Sequence, residues 1–230
     1  MLDQRFVETN VGKMVRLKAA DGHELDAYVA EPKGKAKGGI VVVQEIFGVT
    51  NHVKRVADQY AAEGYKAIAP AMFDRIERGI TLDYEEIQQG IAYMQQLKWP
   101  NTLADLEAAA AEVRPAGSAA VVGYCWGGTV AHVAAADLKL DAAISYYGGG
   151  VAKMLDKRPH CPVLYHIGDH DHSIPMPDIE KIRKAYPDST LFVYPGAQHG
   201  FNCDERASYS AADAKLAFAR SIEFLREQLA

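Results

Sequence analysis

Cys125 stands among glycines, in Gly123-Tyr124-Cys125-Trp126-Gly127-Gly128, at the end of the apolar run Ala119-Ala120-Val121-Val122. Gly-x-Cys-x-Gly-Gly after a strand is the sequence form of a nucleophile elbow, a strained strand-to-helix turn that thrusts one side chain outward. A thiol here takes the place of the more usual serine. Glycines at the flanks let backbones pass close to the turn, whereas a cysteine that only fills a core needs no such company. The helix expected to follow presents its positive end to the sulfur and favours the thiolate. The pattern points to a nucleophilic enzyme with Cys125 as its nucleophile.

A thiol is weakly ionised at neutral pH, so it calls for a base within reach. His199 fits, in Pro195-Gly196-Ala197-Gln198-His199-Gly200-Phe201, where two glycines let a tight loop turn the ring back over a strand end. An acid to orient it should follow a strand between Cys125 and His199. The segment 163–175 offers Asp169 and Asp171. Asp171 suits a loop descending towards Pro175 and is preferred, while Asp169 reads as a turn cap. The same segment carries a rival chemistry: His166, His170 and His172 beside the two aspartates look like a metal-ligand cluster for a metal-dependent hydrolase. That reading leaves the elbow and His199 unexplained, so neither a metal nor another cofactor is expected. A further rival is a redox-responsive ligand-binding module in which Cys125 pairs with Cys203.

Elements must bring these residues together. Residues 11–19 and 23–31 read as a hairpin around Ala20-Asp21-Gly22, since Met14, Val15 and Leu17, then Leu25, Ala27 and Val29, alternate or nearly alternate on either side of the turn. Short apolar runs at 39–43, 65–69, 119–122, 142–146, 163–165 and 191–194 have the character of parallel strands covered on both faces. Helical stretches fall at 51–64, 84–97, 102–114, 127–137, 176–186 and 207–229. The alternation predicts an α/β fold: a doubly wound, mostly parallel sheet with helices on both faces and the antiparallel hairpin at one edge. Glu45, Cys125, Asp171 and His199 all follow strands, so they should converge at the rim where such sheets place their chemistry.

Composition narrows the class. The 230 residues suit a single domain spanning 1–230, with 49% hydrophobic and 24% charged residues. A net charge of −5 with scattered basic residues, apart from Lys33, Lys35 and Lys37, argues against nucleic-acid partners. No apolar run approaches the roughly 18 residues that span a bilayer. Three cysteines and a polar start at Met1-Leu2-Asp3-Gln4-Arg5 point to a reducing cytoplasm.

Taken with Gln44-Glu45-Ile46-Phe47-Gly48-Val49, Asp171-His172-Ser173-Ile174-Pro175 and His199-Gly200-Phe201, the elbow makes the chain resemble the dienelactone hydrolase family, the carboxymethylenebutenolidases. The resemblance runs from about residue 10 to the C-terminus and implies an α/β-hydrolase fold. It also implies a lactone or small-ester substrate and an acyl-thioenzyme formed on Cys125, with His199 as base and Asp171 as acid. From it alone comes a role for Glu45, which in the family lies beside the resting thiol and shifts on substrate binding so that the thiolate forms when needed. It further implies an oxyanion hole made by the N–H groups of Ile46 and Trp126, and a monomer or weak dimer.

The chain departs from the family where the substrate carboxylate is held. Family arginines do this, one shortly after the histidine, but here Asn202, Cys203, Asp204 and Glu205 precede Arg206, and residues 79–100 contain no arginine. Arg75 and Arg78 are candidate substitutes as carboxylate clamps. Phe47, Tyr84, Tyr93, Trp126 and Tyr146 are candidate pocket walls, with Phe47, Arg75, Tyr93 and Arg206 the preferred substrate contacts.

Overall fold

A computed structural model describes residues 12–229; Val11, the first residue of the expected hairpin, lies outside them. The hairpin is formed by β1 (Lys13–Lys18) and β2 (Glu24–Ala30), paired antiparallel, with Gly22 at φ 88° in the turn. Its inward face is narrower than expected. Leu17 is buried, but Met14 is 53% exposed because strand alternation puts it on the opposite face, with the exposed Arg16 and Lys18.

The remaining strands are β3 (Gly39–Val43), β4 (Lys66–Pro70), β5 (Ala119–Tyr124), β6 (Ala142–Tyr146), β7 (Val163–Gly168) and β8 (Thr190–Tyr194). The sheet order is β1-β2-β4-β3-β5-β6-β7-β8, with β2 antiparallel to β4 and every later pair parallel. β3, β5, β6 and β7 are buried along their whole lengths, which is why their sequences read as unbroken apolar runs.

The helices are α1 (Asn51–Ala62), α2 (Ile87–Gln96), α3 (Trp99–Val113), α4 (Trp126–Asp137), α5 (Met176–Ala185) and α6 (Ala211–Gln228). Helices cover both faces: α1 and α6 meet through Tyr60 and Phe218, while α3 packs beside α4. α3 begins earlier than the expected 102, since Pro100 sits in the first turn, where a missing N–H leaves no hydrogen bond unmade. α6 begins later than the expected 207, because Ser210 terminates a run of turns.

Strand order reverses at β3, which has β4 on one side and β5 on the other. The crevice beyond the carboxyl ends of β3 and β5 is therefore the topological switch point, the usual ligand site of such sheets. Val43 pairs with Gly123 in register, so the loop carrying Glu45 and the elbow carrying Cys125 leave the sheet side by side.

Candidate active site

Cys125 occupies a sharp turn at φ 56° and ψ −119°, a conformation that L-residues seldom adopt and that the surroundings must hold in place. Those surroundings are backbone. A Cβ on Gly123 would lie 1.8 Å from the Gly127 carbonyl oxygen, and one on Gly127 would lie 2.5 Å from the carbonyl oxygens of both Val43 and Gln44. On Gly128 it would come within 2.6 Å of the Tyr146 carbonyl oxygen. The three glycines thus press α4 onto the sheet and leave Cys125 as its N-cap residue. The Cys125 N–H donates to Tyr146 O at 3.0 Å, tying the elbow to β6.

Asp171 follows β7, and His199 lies in the loop after β8. The His199 Nδ1 is 2.8 Å from Asp171 Oδ2, and the Ser173 N–H donates to Asp171 Oδ1 at 2.8 Å. Asp171 is buried and both its oxygens are occupied, so the imidazole has one orientation available. Asp169 instead accepts from the Gly196 N–H at 2.6 Å and closes the turn ahead of His199. Burial works against a charged His199 ring. The Cys125 thiolate beside it and the Asp171 carboxylate behind it outweigh that cost and lift its pKa to about 10.

Glu45 is buried at the end of β3. Its Oε1 lies 3.5 Å from Arg206 Nη1, while Oε2 has no hydrogen-bond partner among the described residues. Burial and then the Glu45 charge raise the Cys203 thiol to about 12 and hold the Tyr84 phenol far above its ordinary value. Arg206 lies 5.7 Å from the Phe47 ring centroid and 5.9 Å from that of Tyr84. Gly200, at φ 78°, makes room for the guanidinium, since a Cβ there would lie 2.7 Å from Nη1.

The Ile46 loop is set by two further glycines. Gly48, at φ 84°, passes against the Ile80 carbonyl, and Gly90 lets α2 rest on Ile46, whose carbonyl oxygen would stand 2.4 Å from a Cβ at that position. The N–H groups of Ile46 and Trp126 have no acceptor among the described residues.

A cavity of about 750 Å³ opens over these groups, with Cys125, Trp126, Ile46, Phe47, His199 and Arg206 in its wall. Other expected contacts lie elsewhere. Arg75 clasps Asp105 through Nε at 2.6 Å and Nη2 at 2.7 Å and reaches Asp21 at 2.8 Å, an ion-pair network with no wall on the cavity. Arg78 pairs with Asp26 at 2.9 Å. Tyr93 packs on Phe73, which backs Trp126, and so stands behind the wall. Tyr146 is wholly buried against Tyr124 and donates to or accepts from Ser221 at 2.7 Å.

The histidine cluster does not assemble. His166 points into the core, its Nδ1 2.7 Å from the Tyr194 hydroxyl and its Nε2 3.0 Å from Ser221, and burial lowers its pKa to about 3. With both nitrogens engaged it offers no metal ligand, and it is separated from the exposed His170 and His172. Cys203 is free and fully buried, which suits packing better than thiol exchange. The sequence reading missed the apolar wall from α2, made by Ile87, Ile91 and Met94, and Lys153 beyond the Gly148-Gly149-Gly150 turn. Apolar residues at 87, 91 and 94 have helical spacing, the one signal that marked this face.

Comparison with known proteins shows the family and the fold. Residues 25–229 match the dienelactone hydrolase family. The chain belongs to that family. It is a hydrolase, 34% identical to the carboxymethylenebutenolidase of Pseudomonas putida over 92% of this chain and 94% of that one. A putative carboxymethylenebutenolidase of Synechocystis sp. is likewise 34% identical, over 90% of this chain and 93% of its own. The crystal structure of a putative dienelactone hydrolase from Klebsiella pneumoniae superposes with a TM-score of 0.81 at 30% identity, covering 93% of this chain and 99% of that one. Among the described residues no helix is long and apolar enough to cross a membrane.

Proposed function

We propose that this hydrolase opens lactones or cleaves small carboxylic esters through an acyl-thioenzyme on Cys125. The observation that carries the reading is Cys125 at φ 56° on the elbow, beside a His199 whose Nδ1 is held by a buried Asp171. The Cys125 thiolate attacks the carbonyl carbon, and the N–H groups of Ile46 and Trp126 receive the oxygen as it becomes an oxyanion. When the tetrahedral intermediate collapses, the C–O bond breaks and His199 gives its proton to the departing oxygen.

The same electrostatics then serve the second half. Acylation removes the thiolate charge that leads the causes raising the His199 pKa, so the ring, having given its proton to the departing oxygen, can take another from water as it attacks the thioester. Collapse expels the thiolate beside an imidazolium and restores the starting pair. Glu45 is assigned the gating role: it stands buried at the end of β3 with Oε2 unpartnered among the described residues, and its contact with Arg206 gives it a second place to turn. Arg206 is the guanidinium in the cavity wall and can donate hydrogen bonds to substrate oxygens. Three free cysteines suit a reducing cytoplasm.

Turnover of a lactone and of a phenyl ester by Cys125→Ala tests the assignment. A loss of at least about a thousandfold on both is expected. Full turnover by that variant would overturn it.

A further inference from the structure

Beside the cavity over Cys125 lies a second one, of about 550 Å³, and the two meet at Ser173, His199 and Arg206, which belong to both walls. Their linings differ in kind. The first is walled mostly by Ile87, Ile91, Met94, Leu97, Trp99 and Met154, with Lys153 its one charged residue besides the shared His199 and Arg206. The second is walled by Glu85, His170, His172, Gln198, Glu205 and Ser208, all exposed or half-buried and able to form hydrogen bonds.

Chemistry fixes which half of a substrate enters each. Cys125, Ile46 and Trp126 border the apolar lobe alone, so a carbonyl held on the thiol and the two N–H groups keeps its acyl chain in that lobe. The departing oxygen must lie within reach of His199 to be protonated, and beyond His199 lies the polar lobe. Both signs of charge occur there, Glu85 and Glu205 against Arg206, which suits a neutral group that both donates and accepts hydrogen bonds.

From this geometry, and resting on the thioester reading above, we infer that the preferred substrate class is an ester of a bulky apolar acid with a neutral, polyhydroxylated alcohol. Attack by the Cys125 thiolate forms the apolar thioester and releases the polyol, which carries away the proton from His199. Water then releases the apolar acid.

A reversed pair of esters tests the assignment: the glyceryl ester of phenylbutanoic acid and phenylbutyl glycerate, each rate normalised to alkaline hydrolysis of the same compound. The wild-type protein should show kcat/KM at least about tenfold higher for the first. Ile91→Asp, which places a charge in the apolar lobe, should collapse that ratio towards one. Equal or reversed preference in the wild type, with turnover abolished by Cys125→Ala, overturns the lobe assignment and leaves the thioester chemistry standing. A wild-type preference that Ile91→Asp leaves intact also overturns it. Turnover of neither ester overturns both.

Discussion

At the scale of single residues, the state of His199 is set mainly by its neighbour. Burial alone would lower its pKa, and the Cys125 and Asp171 charges raise it to about 10. Below that value the ring carries a proton and the thiolate–imidazolium pair can exist; above it the proton is lost, so acylation should fall as pH rises through about 10. Removing the sulfur removes the leading favourable cause. In Cys125→Ala the His199 titration, followed by NMR of the ring protons, should move down by about one unit or more. An unchanged titration would show that the thiol does not govern the ring. The meeting of Cys125, His199 and Asp171 at one end of the sheet was legible because each follows an apolar run. Arg75 was misread because the partners that occupy it, Asp21 and Asp105, are brought to it only by the fold.

At the scale of elements, the elbow is held mainly by backbone contacts at Gly123 and Gly127. Gly123→Ala would drive a Cβ to 1.8 Å from the Gly127 carbonyl oxygen, and neither β5 nor α4 is free to move, since both are buried along most of their lengths. A loss of about 3 kcal/mol or more is expected, seen as a lower urea midpoint than the wild type. A midpoint unchanged within error would mean that the elbow is not locked in this way. Strands could be read because a doubly covered strand needs an unbroken apolar run. The α2 wall could not, because the apolar face of that helix borders an open cavity, and periodicity alone does not distinguish a cavity wall from a core.

Across the whole molecule, the loop after His199 is pinned to α1. Asp204 bonds His52 Nδ1 at 2.9 Å and Arg55 Nη2 at 2.7 Å, and the hydrogen bond from His52, followed by that from Arg55, holds its carboxyl well below the ordinary range. A depressed carboxyl contributes stability that is present above its unfolded pKa, near 4, and is lost as pH falls through the folded value. Asp204 is 43% exposed, so solvent screening limits the contribution to about 1 kcal/mol. Asp204→Asn should therefore be less stable by about that amount near neutral pH, with the difference vanishing in strong acid, as urea unfolding at several pH values would show. A constant difference across that range would place the effect in packing. The layered architecture was readable from alternating strands and helices, whereas this long-range pin joins residues far apart in the chain and left no local signal.

Intact-protein mass spectrometry of an acid-quenched reaction with a slowly hydrolysed ester is the most direct test of the thioester. The wild type should gain the mass of the acyl group, and peptide mapping should place it on Cys125, with no adduct in Cys125→Ala. An acyl group on any other residue, or steady turnover by Cys125→Ala, would contradict the account.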